Sequence, residues 1–138
     1  MRVPDHQFLK SLKISKSYSN RLPKIWFYPM KGIIEVVTDN EIQIASMLSK
    51  SRSDIFLESR GYIRKSLANL FNLNPLDIPI EANPGEAPKL PKGMGQVSIS
   101  HCNDALIIIW HIEKVGIDIE RSDRDFKYKD IAKKYCFN

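Results

Sequence analysis

Between Asn72 and Gly95 the chain is broken by Pro75, Pro79, Pro84, Pro88 and Pro91 and by Gly85, Gly93 and Gly95. Proline removes a backbone donor and glycine favours turns, so neither a long helix nor a central strand can run through this stretch. Only one short strand, around DIPIE, fits within it. The interruption separates two kinds of pattern. Before it, apolar residues recur at helical spacing. After it come the apolar segments 97–100, 105–111 and 115–120, joined by the turn-like HCND and EKVG. Helices segregated from an antiparallel meander define an α+β fold, a small antiparallel sheet packed against one long helix.

On the helical side, Thr38 followed by Glu41 fits a capping box and predicts a helix through EIQIASMLS to about residue 49. A longer helix is expected from Ser53. In SDIFLESRGYIRKSLANLF, Phe56, Ile63, Leu67 and Leu70 share one face, while Arg60 and Arg64 are four apart on another. Gly61 weakens that helix slightly without ending it. KIWFY at 24–28 reads as a short strand and IIEVV at 33–37 as an extended or edge segment. In the tail, DIAKKYCFN, which runs to Asn138, could open an amphipathic helix.

With 138 residues, 43% of them apolar, the chain suits one compact domain, expected over residues 24–138. No apolar run reaches the ~20 residues that span a bilayer, and no secretory apolar region opens the chain, so no membrane role and a cytoplasmic location are expected. Cys102 and Cys136 form neither a disulfide framework nor a zinc spacing, and read as free thiols. The net charge of +5 resides in residues 1–24, where Arg2, Lys10, Lys13, Lys16, Arg21 and Lys24 face Asp5 alone. The rest of the chain is neutral. Residues 1–23 therefore read as a flexible basic leader, more often a solvated tail than a nucleic-acid arm. Only Phe8 and Tyr18 stand among its basic residues, too few for an interleaved stacking platform, and no nucleic-acid partner is expected.

Three groups could carry chemistry. In VGIDIE, strand alternation puts Val115, Ile117 and Ile119 on one face and Gly116, Asp118 and Glu120 on the other. Carboxylates about 7 Å apart repel unless a cation sits between them, and Mg²⁺ takes one or two carboxylates while keeping water and phosphate oxygens. A solvated strand edge accounts for the spacing equally well. In VSISH, Ser98 and Ser100 face opposite to Val97 and Ile99, and His101 at the strand end can donate to phosphate or move a proton. A turn histidine satisfied by backbone is the commoner case. Cys102 points away from His101, which rules out a shared Cys-His site. Arg60 and Arg64 could clamp a phosphate, although helix arginines more often face solvent. Neither a G-x-x-x-x-G-K-[ST] loop nor a G-x-G-x-x-G run is present.

Taken in order, SRGYIRKSLANLF, GEAPKL, VSISH and VGIDIE resemble the surfactin-type 4′-phosphopantetheinyl transferases, whose signature runs as an arginine-bearing helix, a G-K-P loop, F-N-x-S-H, G-[IV]-D-[IV]-E and a later W-x-x-K-E. IAKKYCF resembles the helix after the metal motif. The resemblance implies transfer of the phosphopantetheine arm of coenzyme A to a serine of an acyl or peptidyl carrier protein. It implies Mg²⁺ on Asp118 and Glu120. His101, with Ser100 beside it, would meet the 3′-phosphate of coenzyme A, and Arg60 and Arg64 would bind phosphate from the helix. The G-K-P lysine has no match: Ala87 takes its place, with Lys89 nearby. No W-x-x-K-E follows GIDIE up to Asn138, and that segment brings the third carboxylate and the lysine that assist deprotonation of the acceptor serine. The family's catalytic lysine–glutamate pair is therefore expected beyond Asn138, with no catalytic residue within residues 1–138. The resemblance thus implies one half of a pseudo-dimer, with weak or no turnover alone. A face left bare would favour self-association. Two alternatives stand beside it: a non-catalytic module that binds coenzyme A or a carrier protein, and nucleic-acid binding through the leader.

Overall fold

A computed structural model describes residues 22–82 and 85–121. The elements are β1 (Lys24–Pro29), α1 (Asp39–Ser46), α2 (Lys50–Phe71), a 3-10 turn (Pro75–Asp77), β2 (Gln96–Cys102) and β3 (Ala105–His111). The fold is α+β, with a three-stranded antiparallel sheet ordered β1-β3-β2. The leader through Arg21, Cys136 and the helix expected in DIAKKYCFN, from Asp130 to Asn138, lie outside the described residues. Among the described residues no helix is long and apolar enough to cross a membrane.

Alternation builds the core. On β1, Trp26 and Tyr28 turn inward while Ile25 and Phe27 stay exposed. Leu106, Ile108 and Trp110 of β3 and Val97 of β2 join the same cluster, and α2 closes it with Tyr62, Ile63, Leu67, Ala68 and Phe71. The expected face of α2 is thus only partly the core face: Ile63 and Leu67 are fully buried, whereas Phe56 and Leu70 are half-buried. Trp110 donates its indole N–H to the Met94 carbonyl at 2.7 Å. Gly95 lets that ring approach, since a Cβ there would stand 2.7 Å from Trp110 Nε1, and its φ of +82° also favours glycine.

The hairpin HCND turns as expected, with Cys102 opposite Ala105. The third strand does not form. Residues 115–120 join no strand, and β3 pairs instead with β1 from Lys24 opposite Trp110 to Pro29 opposite Ala105. The reason is geometric. A strand has two edges, β2 already holds one edge of β3, and β1 brings two aromatic side chains to the core from the other. VGIDIE nevertheless keeps its alternation, with Val115, Ile117 and Ile119 half-buried and Gly116, Asp118 and Glu120 exposed.

Residues 33–37 also form no strand. They cross α2 instead. A Cβ on Gly61 would stand 2.9 Å from Glu35 Cβ and 3.0 Å from the Glu35 backbone nitrogen, so Gly61 permits a close crossing rather than merely weakening a helix. The buried Glu58 carboxylate fixes the start of the segment by accepting from Lys31 N (2.8 Å) and Gly32 N (2.9 Å). DIPIE contributes no strand, only an isolated bridge between Glu81 and Lys89.

The two helices are joined through a capping box. Thr38 accepts from Glu41 N, and Glu41 Oε1 accepts from Thr38 N at 2.9 Å. The same oxygen meets Arg64 Nε at 2.6 Å. Helix α1 ends at Ser46 rather than about 49, and α2 starts at Lys50, earlier than Ser53. At its other end Asn72 takes a left-handed conformation, φ 54° and ψ 48°, which closes the helix. With the sheet, the 31–36 segment and α1 all against it, α2 is buried continuously from Glu58 to Arg64. Two polar residues in that run, Ser59 and Arg60, are central to the site.

Candidate functional site

Helix α2, strand β2 and residues 85–88 enclose a cavity of about 560 Å³. From α2 it receives Arg52, Phe56, Ser59 and Arg60, which recur at helical spacing and so share one face. From β2 it receives Ser98 and His101. The third wall is the segment GEAP, in which Ala87 and Pro88 line the cavity. Lys89 does not line it. Its backbone exchanges two 3.0 Å bonds with that of Glu81.

Arg60 is the dominant charge of the cavity. It is 5% exposed and its guanidinium stands 5.1 Å from the Phe56 ring centroid, in cation-π contact. Its Nη1 and the neighbouring Ser59 Oγ are both buried without a hydrogen-bond partner among the described residues. Burial holds the Arg60 pKa below its ordinary value; the Glu41 carboxylate opposes that effect and the Arg64 charge adds to it. A buried guanidinium with a free N–H group favours an anion.

Arg64 has a different role. One turn along α2, its side chain is 2% exposed, with Nε on Glu41 and Nη1 on the carbonyl oxygens of Pro75 (3.0 Å) and Ile78 (2.8 Å). These contacts tie α1 and the proline-rich connection to α2. Arg64 borders a smaller cavity of about 280 Å³ at the start of α1, together with Arg60. It is not among the residues that line the larger one.

Ser100 and His101 are consecutive on an edge strand, so their side chains leave opposite faces. His101 reaches the Arg60 cavity. Ser100 instead donates to Asp118 Oδ1 at 2.8 Å and accepts from Ile119 N at 3.1 Å, holding the GIDIE segment against β2. Asp118 Oδ1 also accepts from Ile119 N at 2.9 Å, which fixes the carboxylate's orientation. Arg121 and Asp104 pair at 3.1 Å close to the same segment. Hence the expected grouping splits into two: Arg60 with His101 on the helix side of β2, and Ser100 with Asp118 on the other. Asp118 and Glu120 are both exposed, in an irregular segment rather than the expected strand. The lysine–glutamate pair expected beyond Asn138 falls outside the described residues, which reach Arg121.

Asp118 and Glu120 offer oxygen donors of the hard kind that Mg²⁺ takes. Two exposed carboxylates, one of them oriented by a hydroxyl, supply the hard oxygens that Mg²⁺ takes alongside water and phosphate. Among the described residues no cluster of three His, Cys, Asp or Glu side chains adds a further ligand. Two carboxylates alone would leave most positions of such a metal to water or to the oxygens of a ligand.

Sequence reasoning singled out Arg60 and His101 but missed Arg52 and Ser59. Their signal was present. Spacing of four, seven and eight residues from Arg52 to Phe56, Ser59 and Arg60 marks one helical face. Comparison of the chain with protein-family models, curated proteins and solved structures returned no match.

Proposed function

We propose that the chain binds coenzyme A with Mg²⁺, in the manner of a 4′-phosphopantetheinyl transferase whose acceptor is a serine of an acyl or peptidyl carrier protein. The single observation that carries this reading is the meeting of Arg60, His101 and the GEAP segment around one cavity, from three separate stretches of sequence. Arg60 would hold a phosphate by charge, with His101 as a second donor at the cavity's rim. Asp118 and Glu120 would hold Mg²⁺, which when bound offsets the charge of a pyrophosphate leaving group. Ser100 would position Asp118 for that task, and the peptide following Asp118 is held by the same hydroxyl.

Ala87 lines the cavity where the resemblance has a lysine, and this favours a second reading, ligand binding without transfer. Weak loading of a carrier protein would favour transfer, whereas its absence fits both readings. For either reading, calorimetric titration of coenzyme A with and without Mg²⁺ is the test. Binding that tightens with Mg²⁺ supports both. No binding, or binding indifferent to the metal, overturns the shared premise.

A further inference from the structure

The hydroxyl of a helical serine ordinarily bonds a carbonyl one turn back or faces water. Ser59 does neither. It is 6% exposed, its Oγ has no partner among the described residues, and it borders the cavity of about 560 Å³ beside Arg60, whose Nη1 is likewise unpartnered. Leaving a buried donor unmade costs about 1–3 kcal/mol. Two such donors on adjacent residues of one helix turn therefore form a built feature with an unmet need for acceptors. Guanidinium only donates, so the group that satisfies both is rich in acceptor oxygens. A phosphomonoester presents three such oxygens and matches the planar fork of arginine.

We propose that Ser59 Oγ donates to the same phosphomonoester that Arg60 binds, and that this pair makes the cavity select coenzyme A over dephospho-coenzyme A. The inference rests on the coenzyme A reading and adds a specificity residue to it. Of the lining residues, Glu86 and His101 are exposed, whereas Ser59 is buried on α2. The serine therefore acts where solvent competes least.

The test is calorimetric titration of the 138-residue chain, in Mg²⁺, with coenzyme A and with dephospho-coenzyme A. Wild type should prefer coenzyme A. Ser59→Ala should weaken coenzyme A by roughly tenfold, as expected for one hydrogen bond to a charged group, and leave dephospho-coenzyme A unchanged. Alanine favours a helix, so the variant should fold, as circular dichroism would show. If it does not, Ser59→Cys keeps the volume with a poorer donor and should show the same contrast at smaller size. Equal loss for both ligands, or no loss, overturns the role of Ser59 while leaving coenzyme A binding intact. Failure of wild type to bind either ligand overturns the underlying reading itself, and the role of Ser59 with it.

Discussion

Replacing Glu41 with alanine should be among the most damaging single changes in the described fold. Glu41 is 6% exposed, and its Oε1 accepts from Thr38 N at 2.9 Å, Thr38 Oγ1 at 3.0 Å and Arg64 Nε at 2.6 Å. Truncation would leave the Arg64 guanidinium buried without a counter-charge, a change that costs about 3–5 kcal/mol in comparable pairs. Two carbonyl acceptors remain on Arg64, so the lower end applies, and loss of the reciprocal capping bond adds about 1 kcal/mol. The expected total is about 4 kcal/mol. Glu41→Gln separates the contributions: its amide oxygen can still accept from Thr38 N, while the charge is gone. It should cost about 3 kcal/mol, the uncompensated Arg64 charge without the capping loss. Urea unfolding followed by tryptophan fluorescence provides the assay, with the fully buried Trp110 as reporter. At a slope of about 2 kcal/mol/M, the alanine variant should lose roughly 2 M in midpoint. A loss below about 1 kcal/mol for alanine would refute the claim that Glu41 holds Arg64 in place.

Gly61→Ala should destabilise the chain by about 1 kcal/mol or more despite alanine's better helix propensity, because the added methyl meets the Glu35 backbone at 3.0 Å; a gain in urea midpoint would contradict this. The Tyr62 pKa is raised by burial, with the Glu58 carboxylate adding to the effect. Tyr62 therefore keeps its proton in the folded state at pH values where the unfolded chain has lost it, so its contribution is complete below about pH 10 and falls away above it. Alkaline unfolding of Tyr62→Phe should begin at higher pH than that of wild type, and an identical alkaline limb would count against the assignment.

Local signals in the sequence identified the elements whose causes are local. Thr38 and Glu41 announce a helix start because both partners of the capping box lie within four residues. The β2–β3 hairpin follows from a tight turn between two alternating runs. Failures occurred where the cause lay far along the chain. VGIDIE alternates like a strand, yet the second edge of β3 is taken by β1, from the opposite end of the described chain, and no local feature ranks the two competitors. IIEVV has β-branched residues suited to a sheet, but a buried carboxylate and a glycine on α2 draw it across the helix instead. Arg60 and Arg64 look equivalent in sequence. Only the folded chain separates them, because the counter-charge of Arg64 comes from Glu41, 23 residues away, whereas the Arg60 Nη1 has no partner among the described residues. The GIDIE carboxylates both stay exposed because the period-two burial pattern survives without strand pairing. What placed Asp118 was Ser100, a contact between two motifs that lie apart in sequence order.

The most direct test of the account compares wild type with Asp118→Ala in the same coenzyme A titration, each with and without Mg²⁺. Asp118 is exposed and makes no core contact, so the variant should fold normally. Wild type should bind more tightly when Mg²⁺ is present, and Asp118→Ala should lose that gain while retaining the metal-independent part supplied by Arg60. Equal Mg²⁺ enhancement in both proteins would contradict the assignment of Asp118 to the metal, and no coenzyme A binding by wild type would contradict the account as a whole.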